Sequence, residues 1–254
     1  MLRARPPILL VAAAVAVFVA ACGGDDTSSS STGPASTTGE TSTSVPASTV
    51  ADDGTIRTAD YLAFRDQTTA CGAEAPPPAT AMQFEAPEDL GLSDVVRAVL
   101  VTSCGNVELE LYPSVAPETV NSFVFLAEQG YFDGTVIHRV AEDFVVQAGD
   151  PTATGAGNPG YFLPDELPPD NFTYVAGTVA MANSGAPDSG GSQFFLIIED
   201  SPLPPDYAAF GLVTAGLDVT GLMEEVPKGP NQGLGGELSR PLETIYLERV
   251  EIER

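Results

Sequence analysis

Tryptophan is absent from this chain, histidine occurs once, and lysine and arginine together number only 10 among 254 residues. A lone His138 leaves no set of imidazole ligands for zinc, and Cys22, Cys71 and Cys104 are too far apart for a CxxC metal or redox motif. No metal or cofactor is therefore expected. The few cations face 35 Asp and Glu, a formal charge of -25. Phosphate backbones need basic patches, so nucleic acid is excluded as a partner. Acidity of this kind serves solubility and self-repulsion and names no partner by itself. The Gly-rich residues 155–160 lack the GK[ST] ending of a P-loop and read as turn chemistry. No apolar run reaches the ~20 residues of a membrane-spanning helix; the longest, residues 8–21, has roughly 14.

That run follows Arg3 and Arg5 and ends in Val19-Ala20-Ala21-Cys22. A basic start, a short apolar core and small residues at its end make residues 1–21 a secretory signal. Its last four residues resemble the lipobox of bacterial lipoproteins, where the cysteine is lipidated and becomes the new N-terminus. Cys22 is thus the expected lipidation site, and the mature protein is expected on the extracytoplasmic side of the cell membrane, held there only by its lipid. Residues 22–57 are rich in Ser, Thr, Gly and Pro without apolar periodicity, which reads as a disordered tether. Residues 58–93 form an N-terminal extension, with a short helix over 59–66 and a stop at Pro76-Pro77-Pro78. With Cys22 taken by lipid, Cys71 and Cys104 remain as an even pair in an exported chain, the pattern of a disulfide stapling the extension to the folded domain.

The domain proper is expected over residues 94–254. Gly105-Asn106, between two apolar-alternating runs, predicts a type II′ hairpin. Val107, Leu109 and Leu111 alternate with Glu108 and Glu110, one face buried and one wet. Pro117 and Glu118 open a helix that Gly130 closes, with Val120, Phe123, Val124 and Ala127 on one face. A second helix over 217–226 repeats that spacing with Val219, Leu222, Met223 and Val226. Residues 177–182, 193–198, 207–213 and 245–252 read as strands, the last with a slip near Glu248-Arg249. The sum is a mainly β fold: a closed antiparallel β-barrel of about eight strands capped by two α-helices.

The stretch VIHRVAEDFVVQAGD, residues 136–150, is the centre of this arrangement. It reads as two strands, 135–140 and 144–149, turned at Ala141-Glu142-Asp143, with His138, Arg139 and Gln147 interrupting the apolar alternation. A second stretch, GGSQFFLII at 190–198, belongs with it. Together with MANSG, APETVNSF, GYFDGTVIHRV, PGYFLPDEL and YAAFG, in order from Val95 to Glu253, they resemble the cyclophilin family of peptidyl-prolyl cis-trans isomerases.

That resemblance implies the capped barrel and a monomeric enzyme. It would accelerate rotation of X-Pro bonds in exported or cell-envelope proteins and so assist their folding. It also implies roles. Arg139 donates a hydrogen bond to the prolyl nitrogen, and Phe144, Val145, Phe195 and Leu203 line the proline pocket. Gln147 and Asn183 hold the substrate backbone, while His138, Ala182, Gln193 and Tyr207 form the rim. This chain departs from the family where many eukaryotic members carry tryptophan, a place that falls on Pro202. Tyr207 stands for histidine, Val145 for a frequent methionine, and Ala148 for the first glycine of QGGD. Two other readings compete. A proline-peptide-binding or chaperone module with little turnover is opposed by the intact Arg139. A hydrolase using Asp165 and Glu166 lacks a nucleophile, and adjacent acids in a loop after Pro164 are more simply solvated.

Overall fold

Period-two alternation builds most of the molecule in the computed structural model, which describes residues 49–254. The expected signal, Cys22 and most of the expected tether lie outside the described residues. In chain order the elements are α1 (Ala59–Arg65), β1 (Val96–Thr102), β2 (Gly105–Leu111), α2 (Pro117–Glu128), β3 (Thr135–Val136), β4 (Arg139–Ala141) and β5 (Val145–Ala148). There follow β6 (Thr178–Met181), β7 (Phe194–Ile197), β8 (Ala209–Ala215), α3 (Leu217–Glu224), β9 (Lys228–Asn231), β10 (Glu237–Pro241) and β11 (Tyr246–Glu253). Nine strands form one antiparallel sheet in the order β3-β11-β1-β2-β8-β6-β7-β5-β4, and β10 pairs with β9 apart from it.

The barrel is curled but not closed by hydrogen bonds. Its two edge strands, β3 and β4, are halves of the single strand expected over 135–140, separated only by Ile137 and His138. The first half pairs with β11 and the second with β5. One strand thus crosses from one edge of the sheet to the other, and backbone continuity does what a ladder would do in a closed barrel. The β1–β2 turn also falls elsewhere than expected. Thr102 pairs with Gly105, so the turn is Ser103-Cys104 and Gly105 begins β2. The slip near Glu248 is present as a bulge, because Val101 faces Arg249 while Thr102 faces Leu247.

Along β5 and β7 the alternation sorts side chains to two faces. Val146, Ala148, Phe194 and Leu196 join the main core inside the barrel, with Val107, Leu109 and Phe210. Val145, Phe195 and Ile197 belong to a separate cluster with Tyr174 and Ala180. The inner core leaves an apolar void of only about 10 Å³ between Leu100, Ile137, Val146, Phe194 and Met223. That is at the limit of a single water, and apolar walls keep it dry. That void is too small for a ligand.

Helix α2 ends as its Gly130 predicts. Gly130 has φ 72, its N–H donates to Ala127 O, and the N–H of Tyr131 donates to Leu126 O. This pair of bonds is a Schellman stop. The helix is buried on more than the one face expected, with Phe125 and Leu126 covered as well. The extension supplies the cover. Phe84 meets Phe125 edge-on at 5.1 Å, the Asn121 carboxamide accepts from Leu90 N, and its Nδ2 donates to Glu88 O. On α3, by contrast, Leu222 is 47% exposed rather than turned into the core.

The rest of the extension is also part of the fold. Residues counted with the tether are already placed from Val50, which bridges Ile56, and Ile56 is buried. Ile56, Tyr61, Phe64 and Ala79 form a second core with Val136 and Tyr246. Burying Phe64 alone contributes about 1.5–3 kcal/mol before ordering costs. The Tyr61 hydroxyl donates to Gly134 O and accepts from Ala79 N. A Cβ at Gly134 would sit 2.3 Å from Pro77 O, so only glycine lets the Pro-rich strap pass. Cys71 and Cys104 are disulfide-bonded, Cα to Cα 5.1 Å, which fastens the strap to the Ser103-Cys104 turn.

Candidate active site

Three strands set the centre of the site by register alone. Arg139 on β4 pairs with Gln147 on β5, and Gln147 pairs with Phe195 on β7. Directly opposed residues of a sheet point to the same face, so these three side chains stand in a row on the outer face. The next row, Ala141, Val145 and Ile197, is apolar.

Arg139 is fixed on three sides. Its Nε and Nη2 donate to the two carboxylate oxygens of Glu237 on β10, both at 3.1 Å, and Nη1 donates to Gln147 Oε1 at 3.2 Å. The guanidinium also lies 5.5 Å from the Phe144 ring centre. The arginine side chain is only 16% exposed. A guanidinium has five N–H groups. Three are engaged, leaving one on Nη1 and one on Nη2.

The amide row continues from Gln147. Its Nε2 donates to Gln193 Oε1 at 3.0 Å, and Gln193 Nε2 donates to Gly157 O at 3.1 Å. Gly157 is held in turn by the buried Asp150, whose carboxylate accepts from the N–H groups of Thr152, Gly155 and Gly157. The Gly-rich loop thus directs its amides at an internal carboxylate, as the turn reading expects.

An apolar cluster adjoins the arginine, which lies over the Phe144 ring. Val145 and Phe195 are buried, with Phe144, Phe172, Ala182, Leu203 and Tyr207 packed partly buried against the same cluster. Phe195 and Tyr207 meet edge-on at 5.3 Å. Tyr207 is anchored through Tyr174. Burial pushes the Tyr174 phenol up to about 12, so it keeps its proton and donates to Tyr207 O at 2.6 Å. Pro202 is exposed beside this group and puts no ring into it.

Two expected site residues sit differently. His138 is 5% exposed, at the seam between β3 and β4 rather than at a rim, and its Nδ1 has no partner. Burial lowers its pKa, so the ring is neutral at pH 7. The folded state then binds fewer protons than the unfolded one, and this contribution to stability declines as pH falls below the ordinary histidine range. The Asn183 carboxamide is engaged by its own chain, donating to Asp206 O and accepting from Gly185 N. These bonds hold the turn and leave one Nδ2 N–H over. Glu166, which the hydrolase reading used, accepts from the N–H groups of Glu118 and Thr119 and caps α2. Neither it nor Asp165 joins Arg139.

Three contributors were not found from sequence: Glu237, Phe172 and Tyr174. The two aromatics lie in an irregular stretch without periodicity. Glu237 follows Gly235-Gly236 and opens β10, a short strand that ends in Pro241 and pairs with a β9 containing Gly229 and Pro230, so neither strand shows an alternation pattern.

Known proteins resemble this chain in sequence and fold. The family model described as cyclophilin type peptidyl-prolyl cis-trans isomerase/CLD matches residues 97–252. The probable peptidyl-prolyl cis-trans isomerase B of Mycobacterium tuberculosis is 38% identical over 172 residues, covering 62% of this chain and 54% of that protein. The chain thus spans about half the length of that relative. Peptidyl-prolyl cis-trans isomerase B of Bacillus subtilis is 44% identical over 120 residues, 47% of this chain and 83% of the relative. A Cryptosporidium parvum cyclophilin-type isomerase, whose crystal structure was determined in the presence of the dipeptide Ala-Pro, aligns with a TM-score of 0.54 and 30% identity. It covers 63% of this chain and 99% of its own.

Proposed function

We propose, from the premise that this chain belongs to the cyclophilin-type peptidyl-prolyl cis-trans isomerases, that it catalyses rotation of X-Pro bonds in exported proteins. The carrying observation is a thrice-anchored Arg139 beside an apolar cluster, with two N–H groups left over. No covalent bond breaks in this reaction. The barrier of roughly 18–20 kcal/mol for a peptide bond comes from lost amide resonance. As the bond twists, the prolyl nitrogen regains a lone pair. A donor aimed at that nitrogen stabilises the twisted state more than the planar one, which is what lowers a barrier. Phe144, Leu203 and Tyr207, packed over Val145 and Phe195, are read as the hollow that takes the proline ring and sheds its water. Gln147 keeps one N–H for the substrate backbone. Isomerisation of a proline-containing peptide by the full chain tests the reading: turnover supports it, and binding without turnover favours the chaperone alternative.

The hollow's wall has a pharmacological consequence. Pro202 supplies no indole, so a cyclosporin-like cyclic peptide loses a large aromatic contact and a hydrogen-bond donor. Inhibition weaker than that of tryptophan-containing relatives is expected in a titration of isomerase activity. A nanomolar inhibition constant would show that Pro202 does not stand in the indole's place.

The setting of this activity rests on Val19-Ala20-Ala21-Cys22. The mature protein is read as a monomer, exported and anchored through lipidated Cys22, with the isomerase domain outside the membrane. Cys22→Ser is expected to shift the protein from the membrane fraction to the soluble one or to block processing. An intact mass equal to the unmodified polypeptide would refute lipidation.

A further inference from the structure

The geometry points to Glu237 as the positioning residue of Arg139. The inference rests on the isomerase reading of the site and adds a part to it that lies outside the arginine's own sheet. Arg139 belongs to β4 of the nine-stranded sheet, whereas Glu237 opens β10 of the separate two-stranded one. The two meet in a side-on fork, Nε and Nη2 each 3.1 Å from one carboxylate oxygen. Such a fork fixes the plane of the guanidinium as well as its distance, which a single bond cannot do.

Gln147 holds only Nη1. Without Glu237 the guanidinium could rotate about that one bond, and the two remaining N–H groups would sweep away from the hollow. A donor already aimed when the charge develops needs no reorganisation in the transition state.

The strand that carries Glu237 is itself held. Three residues along β10, Arg240 lies with its guanidinium 4.0 Å from the Phe64 ring centre, and its Nη1 is 3.3 Å from Asp60 Oδ1. Phe64 and Asp60 belong to α1 of the extension. The path from α1 through Arg240 and β10 to Glu237 places the carboxylate from outside the barrel. A carboxylate also offsets the arginine's charge, which by itself would weaken the donor. Aim and charge therefore predict opposite effects of removing it, and the experiment separates them.

The test is a double-mutant cycle in the full chain, with isomerisation of an Ala-Pro-containing peptide as readout. Glu237→Ala should lower kcat/KM roughly 10- to 100-fold when Arg139 is present, by loss of alignment. In an Arg139→Ala background the same change should cost less than about twofold, because the residue acts through the arginine. Glu237→Gln, of equal size and with one acceptor kept, should lose about three- to tenfold and carries the same comparison if the alanine variant does not fold. Equal losses in both backgrounds, unchanged activity, or a gain from either variant would overturn the positioning role. An inactive wild-type chain would instead overturn the isomerase reading itself.

Discussion

Arg139→Ala should lower kcat/KM for X-Pro isomerisation roughly 10²- to 10³-fold while the chain still folds. Uncatalysed exchange takes tens to hundreds of seconds. Shortening about 100 s to about 1 ms needs roughly five decades, or about 7 kcal/mol at 1.36 kcal/mol per decade. Desolvation in the hollow and grip on the backbone supply part of this. A preorganised donor to charge that develops only in the transition state is worth about 2.7–4 kcal/mol, which sets the expected factor. Folding should survive because Glu237, the partner left behind, is 33% exposed and can turn to water. Arg139→Lys should restore little, since an ammonium cannot hold Glu237 and Gln147 while offering two more aligned N–H groups. Phe144→Ala should behave differently, weakening the grip on the proline ring so that binding and turnover fall together. Circular dichroism together with peptide isomerisation kinetics checks all three. A folded Arg139→Ala protein with near-wild-type activity would end the assignment of Arg139 as the donor.

Removing the Cys71–Cys104 bridge should cost about 3–4 kcal/mol of stability, the chain-entropy value for a loop of this length. The two cysteines are 33 positions apart. For a folded region of about 200 residues each kcal/mol moves the melting temperature by roughly 2–4 °C, so Cys71→Ser/Cys104→Ser should melt about 6–16 °C lower. The damage should be localised. The bridge fastens the strap that carries Tyr61 and Phe64 to the β1–β2 turn, so limited proteolysis should cut within residues 58–92 before it reaches the barrel. Two thiols titrating in the native, air-exposed protein would refute the bridge. A double variant that melts with the wild type would refute its energetic role.

Much of this architecture is legible in the sequence because its cause is local. Alternation in FVVQA and QFFLI shows which residues of each strand share a face, and the family resemblance assigns Gln147 and Phe195 to one site, where the register pairs them. Gly130 announces the end of α2 through its left-handed backbone. The cysteine pair follows from an even count after Cys22. What is not legible depends on distant partners. An arginine in a strand demands an acceptor, but nothing in the chain marks Glu237 among 35 acidic residues. In the extension the short helix and the cysteine staple are legible, but the seats of its aromatics are not: Tyr61, Phe64 and Phe84 are anchored in surfaces made by β11, α2 and the residues after β5. His138 is expected at the rim through the family resemblance. The strand crossing at the seam buries it instead.

The strand order has a kinetic consequence. β1 lies between β2 and β11, which pair with it from opposite ends of the sequence. The β1–β2 hairpin is local and such units close in about 1–10 μs, whereas β11 lies far along the chain from β1 and is synthesised well after it. Contacts across so long a loop are slow to form. Until β11 docks, one edge of β1 stands open as a template for other chains. Cys71 and Cys104 both precede β11, so oxidation can bind the strap to the hairpin while the sheet is still incomplete. The barrel is then a scaffold finished last around a part that is covalently assembled first. Its refolding yield should fall with protein concentration, set by how long that open edge waits for β11.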